Sequence, residues 1–208
     1  MHTPILTCRS FCVAAMFGLR YTLRMPTEVE VKFVIHSLEE IRENLKRLGF
    51  NEGTPRTHEM NTLYDHDEEL RTRGEILRIR KYGDRWTVTH KSKGQNARHK
   101  TRQETETKVQ DGNALEQIFH ALGYEPAFRY EKFRSEWTDG TGHVVLDETP
   151  IGTIGEIEGP PDWIDHVAAQ LGLQEPDYIN KSYGELFLEW KRKENSGAEN
   201  MTFAEISR

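Results

Sequence analysis

Thr27-Glu-Val-Glu-Val-Lys-Phe-Val-Ile35 alternates charged and apolar residues from Glu28 to Phe33. In an extended chain successive side chains point to opposite faces, so Glu28, Glu30 and Lys32 share one face and Val29, Val31 and Phe33 the other. The same period of two returns along the chain. Residues 58–65 read as a strand containing Asn61-Thr-Leu-Tyr-Asp65. Over residues 75–81, Leu77 and Ile79 alternate with Arg78 and Arg80. Gly83-Asp84 supplies turn chemistry, and residues 86–91 return as the partner of a hairpin. Residues 101–109 set Arg102, Glu104, Glu106 and Lys108 against Gln103, Thr105, Thr107 and Val109. Residues 125–137 are extended, and 143–148 and 153–158 are two more short strands.

Four helices interrupt the strands. Ser37-Leu-Glu-Glu40 is a capping box, and Leu38, Ile41, Leu45 and Leu48 follow at helical spacing before Gly49. Residues 113–122 carry the stripe Leu115, Ile118, Phe119 and Leu122. Residues 163–171 form a third helix and 182–193 a fourth, with Tyr183, Leu186, Phe187 and Trp190 on one side. Trp163, Phe187 and Trp190 are expected as packing outside the sheet. About eight strands that mostly follow one another through turns, with helices between, give an α+β class built on an antiparallel sheet.

Composition sets the problem that this sheet must solve. The chain has 208 residues, 28 Lys+Arg, 34 Asp+Glu and 36% apolar residues, for a net charge of −6. The length suits one domain. Aromatic residues at 10% exclude a disordered polyelectrolyte, and the absence of a basic excess argues against a general nucleic-acid binder. No run of 18 apolar residues spans a membrane. Cys8 and Cys12 have no second pair to complete a metal site, and the cysteine-free body suits a reducing cytoplasm. Residues 1–24 are expected to be an unstructured extension or a mis-assigned start, with Met25 as initiator. Residues 25–194 form the domain and 195–208 a flexible tail.

The charged face separates by strand. Glu28/Glu30, Glu104/Glu106 and Glu156/Glu158 are acidic pairs two apart, whereas Arg78/Arg80 is basic. A half-solvated antiparallel sheet explains alternation by itself. It does not explain like charges placed side by side on one face. Paired carboxylates want a cation between them, and paired arginines want a polyanion. If about eight strands close into a barrel, these side chains converge on an interior wide enough for one small ligand. A metal-bound polyphosphate fits that interior.

The ordered set of motifs resembles the CYTH superfamily, the triphosphate tunnel metalloenzymes. Glu28-Val-Glu-Val-Lys32, Asn61-Thr-Leu-Tyr-Asp65, Leu77-Arg-Ile-Arg80, Thr89-His-Lys91, Arg102-Gln-Glu-Thr-Glu106, Glu131-Lys-Phe-Arg134, Leu146-Asp147, Gly155-Glu-Ile-Glu158 and Lys181-Ser-Tyr183 appear in family order. Leu122-Gly-Tyr-Glu-Pro126 followed by Glu131-Lys-Phe-Arg134 looks closest to the class IV adenylate cyclase branch. The resemblance implies an eight-stranded antiparallel tunnel, Mg²⁺ or Mn²⁺ dependence and a small-molecule triphosphate substrate. By position it implies catalytic roles for Glu28, Glu30 and Lys32. It implies phosphate binding by Lys32, Arg78, Arg80, Lys91, Arg134 and Lys181. It implies metal binding by Glu28, Glu30, Glu104, Glu106, Asp147, Glu156 and Glu158. The family's Lys-Gly-Pro is here Lys91-Ser-Lys-Gly94, which puts the roles of Lys91 and Lys93 in question. Triphosphate hydrolysis is the expected reaction, because it needs only the metal–triphosphate cradle. Cyclisation of ATP to cyclic AMP is the alternative, and a non-catalytic polyphosphate-binding module is the third. A homodimer is compatible with the resemblance.

Overall fold

The alternating segments form strands because each buries one face under helices and turns the other into a shared interior. A computed structural model describes residues 27–206; the expected extension over 1–24 lies outside them. In chain order the elements are β1 (Thr27–Val34), α1 (Leu38–Arg47), β2 (Asn51–Asp65), α2 (Glu69–Arg73), β3 (Ile76–Tyr82), β4 (Arg85–Lys91), a two-residue β5 (Gln95–Asn96) and β6 (Lys100–Val109). They continue with α3 (Gly112–Ala121), β7 (Glu125–Thr138), β8 (His143–Thr149), β9 (Gly152–Glu158), α4 (Pro161–Gln170), α5 (Tyr183–Lys193) and α6 (Phe203–Ile206). The sheet runs β1-β9-β8-β7-β2-β3-β4-β6, and β6 pairs back onto β1. Eight antiparallel strands thus close a barrel, as the sequence pattern predicts, and closure leaves no long open edge.

The registers fix which side chains point inward. Glu30 stands opposite both Glu158 and Lys100, Lys32 opposite Glu156, and Glu28 opposite Arg102. Arg78 lies beside Thr89, Lys91 beside Glu104, and Arg134 beside Asp147. The opposite faces of β1, β8 and β9 carry Val31, Phe33, Val144, Leu146 and Ile157. These pack with Ile41 and Leu45 of α1 and with Ile164, Val167 and Ala168 of α4 in the main apolar core. Gly155 makes room there: a Cβ on it would stand 2.1 Å from the Phe33 ring.

α5 covers one end of the barrel. Its Tyr183 and Phe187 pack with Tyr130 and Ile154, two residues on inward registers. Phe187 therefore packs over the barrel end rather than on its outside. Ile154 has the same parity as Glu156 and belongs to the inward face, not to the apolar face with Ile157. Two main-chain seams at this end are completed late in the chain. Lys32 exchanges backbone hydrogen bonds with Ile179 beyond the end of β6. Beyond the end of β8, the Met201 N–H donates to the Arg129 carbonyl and the Glu131 N–H donates to the Met201 carbonyl. Met201 is fully buried. Residues 195–206, expected as a flexible tail, are thus an ordered part of the fold, because the first half of β7 outruns β8 and needs a partner.

Three further differences from the sequence reading have local causes. β2 begins seven residues earlier than expected, with register shifts around Pro55, which lacks an N–H to pair. The short helix α2 has no apolar period to announce it. Asp65 builds it by accepting hydrogen bonds from the N–H groups of Leu70 and Arg71. α6 follows the Met201 seam and is held by Glu205, which accepts from the N–H groups of Glu199 and Asn200. Among the described residues no helix is long and apolar enough to cross a membrane.

Candidate active site: a charged tunnel

The inward registers enclose a cavity of about 550 Å³. Its lining includes seven Lys/Arg side chains: Lys32, Arg78, Arg80, Lys91, Arg102, Lys132 and Arg134. Seven glutamates join them: Glu28, Glu30, Glu104, Glu106, Glu136, Glu156 and Glu158. The arrangement is not random. β1 and β9 are neighbours and carry Glu28, Glu30, Glu156 and Glu158, whereas β3, on the far side of the closed strand order, carries Arg78 and Arg80. An acidic edge therefore faces a guanidinium strand across the cavity.

Ion pairs of unequal tightness hold the walls. The Lys32 ammonium lies 2.7 Å from Glu30 and 3.4 Å from Glu156. Burial disfavours this charge, but Glu156 and Glu30 outweigh that cost and raise its pKa. Lys91 donates to Glu28 at 2.9 Å and sits 2.8 Å from Glu104, and Arg102 donates to Glu28 at 3.1 Å. Burial would push the Glu28 carboxyl up; Lys91 and Arg102 prevail and hold it at about 2. Arg134 grips Asp147 at 2.7 and 2.5 Å and Glu156 at 2.7 Å. Arg78 donates to the Tyr130 and Thr89 hydroxyls. Arg80 is held loosely, 3.7 Å from Glu106 and 4.0 Å from Glu59.

Most of the expected site residues meet in this cavity. Lys91 is among them, whereas Lys93 is not on its wall. Two others are elsewhere. Asp147 is fully buried behind the wall, bonded to Lys132, Arg134 and the Tyr183 hydroxyl, and has no face on the cavity. Lys181 is half exposed and pairs with Glu189 at 2.6 Å, away from the cavity. Sequence reasoning assigned no role to Glu59, Lys100, Arg102, Tyr130, Lys132 or Glu136. Parity was the available signal: Lys132 and Glu136 flank Arg134 at two residues, Arg102 and Lys100 precede Glu104 in the same phase, and Glu59 precedes Asn61. Glu59 is fully buried between Lys132, Arg134 and Arg80.

The sequence matches the family described as the CYTH domain over residues 26–183. The chain belongs to the CYTH family. A relative from Methanocaldococcus jannaschii, provisionally named an adenylate cyclase, is 29% identical over 170 residues, covering 76% of this chain and 97% of that protein. A Vibrio parahaemolyticus structure under a similarly provisional adenylate cyclase name aligns with a TM-score of 0.71 at 20% identity, covering 79% of this chain and 99% of the other. A Hippeastrum structure, provisionally an adenylyl cyclase and described as revealing a dominant triphosphatase activity, aligns at 0.61 and 14% identity, covering 78% and 95%. These structural likenesses carry the tunnel fold.

CYTH tunnels work with a metal ion on small-molecule triphosphates. Among the described residues no three His, Cys, Asp or Glu side chains form a ready-made metal cage. The donor chemistry of the β1/β9 edge nevertheless fits a hard divalent cation, because it offers four carboxylates. Glu158 is the telling member. It stands at the mouth with no basic partner within ion-pair distance among the described residues. Lost hydration there, and then Glu28, Glu156 and Glu30, push its carboxyl up to about 7. An edge that resists its own ionisation is one a cation relieves.

The sign of this shift makes a prediction. A carboxyl raised in the folded state costs stability as pH climbs from its ordinary 4.5 through 7. Glu158 is exposed at the mouth, where solvent screens the repulsion, so Glu158→Gln should melt only slightly above the parent at pH 8 and level with it at pH 4. Added Mn²⁺ should raise the parent more than the variant. Thermal melts across that pH range check it, and equal melting at pH 8 would count against the repulsive edge.

Proposed function

We propose that this CYTH tunnel hydrolyses a phosphoanhydride bond of a triphosphate. The observation that carries the reading is the acidic β1/β9 edge facing the arginines of β3 across a cavity of about 550 Å³. Arg78, Arg80, Lys91, Arg102 and Arg134 would hold the phosphate oxygens, and their fixed charges would meet the charge that spreads over the equatorial oxygens as the bond breaks. Glu28, Glu30, Glu156 and Glu158 would hold Mg²⁺ or Mn²⁺, which when bound offsets phosphate charge. A carboxylate of this edge orients the attacking water in line, and Lys32, pinned between Glu30 and Glu156, holds these two side chains in place. Glu104 and Glu106 face the same cavity from β6, beside Lys91, Arg78 and Arg80, and would add two further carboxylates toward the cation. The cytoplasm, where such substrates and Mg²⁺ coexist, is the compartment we assign.

The names carried by the relatives favour a second reading, cyclisation of ATP to cyclic AMP and pyrophosphate. The whole chain, incubated with Mn²⁺ or Mg²⁺, should release phosphate from inorganic tripolyphosphate or thiamine triphosphate. EDTA should abolish that release, and ATP should yield no cyclic AMP. Cyclic AMP from ATP would replace hydrolysis by cyclisation. Tight binding of all three without turnover would replace both by a binding module.

A further inference from the structure

Among the described residues, every Lys or Arg lining the tunnel has a carboxylate within 4.0 Å, whereas Lys100, buried next to the lining residues Glu30 and Arg102 but not itself on the lining, has none. Lys100 opens β6 on the inward register, two residues before Arg102 and opposite Glu30. The charges that act on it are Lys32 and Glu30 from β1, Arg102 on its own strand, and Glu185 from α5. Its stem passes under Gly94, where a Cβ would lie 3.7 Å from the lysine Cε. Ser182 and Gly184, at the start of the eleven-residue α5, line the tunnel at the same end.

A lysine is rarely so buried without a counter-charge, because burial penalises the ammonium and neighbouring cations repel it. An exposed lysine would have avoided the cost. Here the chain instead places a third cation beside Lys32 and Arg102, with Glu30 and Glu185 acting on it only from beyond ion-pair distance. Such a position is stabilised by an anion that arrives from outside, and the positive end of the α5 dipole adds to the same field.

We propose that Lys100 is a further substrate-binding residue of the tunnel, taking a phosphate oxygen of the anion at the α5 end. The inference rests on the triphosphate reading above and adds a contact that fixes how far the phosphate chain reaches. A charge-assisted hydrogen bond of this kind is worth about tenfold or more in affinity.

The test uses the whole chain as parent, Lys100→Gln and Lys100→Arg. Calorimetry with inorganic tripolyphosphate in EDTA reads binding without turnover, and steady-state assays with Mn²⁺ read KM and kcat. Lys100→Gln should weaken binding and raise KM about tenfold or more, with kcat changed less than about threefold. Lys100→Arg should recover most of the affinity. Both should melt at or above the parent, since neither breaks an ion pair; if Lys100→Gln melts lower, Lys100→Met, which keeps the stem, takes its place. A parent that binds tripolyphosphate through Lys100 without cleaving it would overturn hydrolysis and keep this contact. A parent that cleaves it, with Lys100→Gln unchanged in Kd and KM, would overturn the contact alone. A parent that neither binds nor cleaves it would overturn both.

Discussion

Arg134→Ala should cost the fold about 3–5 kcal/mol, the largest loss expected from any single tunnel cation. The guanidinium is the hub of three buried carboxylates. It donates twice to Asp147, at 2.7 and 2.5 Å, and once to Glu156 at 2.7 Å, and its Nε lies 3.8 Å from Glu59. Asp147 and Glu59 are fully buried and Glu156 is 7% exposed. Alanine removes one counter-charge from each of the three, in a wall where water replaces it poorly. Lys132 still reaches Asp147 and Glu59, and Lys32 still reaches Glu156, so the loss is bounded rather than total.

The pH dependence has a definite sign. Burial would raise the Glu156 carboxyl, but Lys32 and Arg134 hold it well below its ordinary 4.5. Stability from that pairing is therefore present above pH 4.5 and lost as pH falls below it. The deficit of Arg134→Ala should be full at pH 7 and narrow on acidification. Urea unfolding at both pH values reads it directly, and Asp147→Asn on the Arg134→Ala background should restore part of the loss. A deficit under about 1 kcal/mol at pH 7 would mean that Arg134 is not the hub the geometry makes it.

The barrel was legible in the sequence because parity is a rigid property of strands. Glu28-Val-Glu-Val-Lys32 and Gly155-Glu-Ile-Glu158 announce which face is charged, and the cross-strand registers place those charges together. What parity does not carry is depth. Asp147 and Glu158 both read as inward acids, yet one is sealed behind the wall by Arg134, Lys132 and Tyr183 while the other stands at the mouth. Their positions depend on how far each strand runs past its neighbour, which no local pattern records. Lys181 shows the same limit. It lies one residue before the capping box that starts α5, and the backbone there turns it outward to Glu189, so a lysine next to a functional helix is not thereby in the site. The seam made by Met201 was equally hidden, since its cause is the unequal lengths of β7 and β8.

Arg80→Ala should have the opposite profile to Arg134→Ala: little loss of fold and a large loss of turnover. The tightness of pairing separates the two. Arg80 lines the cavity, but its nearest acids are 3.7 and 4.0 Å away, and its buried Nε has no hydrogen-bond partner among the described residues. A guanidinium placed on the wall without firm partners keeps its fork for an incoming phosphate. Removing one such preorganised donor from a developing oxyanion costs roughly 100–1000-fold in kcat. Arg80→Lys should recover only part of that rate, because an ammonium supplies the charge without the two-pronged geometry. Phosphate release from tripolyphosphate with Mn²⁺, alongside urea midpoints for both variants, makes the comparison. Near-parental turnover by Arg80→Ala would sink the assignment, and so would a urea midpoint as low as that of Arg134→Ala. In the first case the loose arginine is idle; in the second it is structural despite its distances.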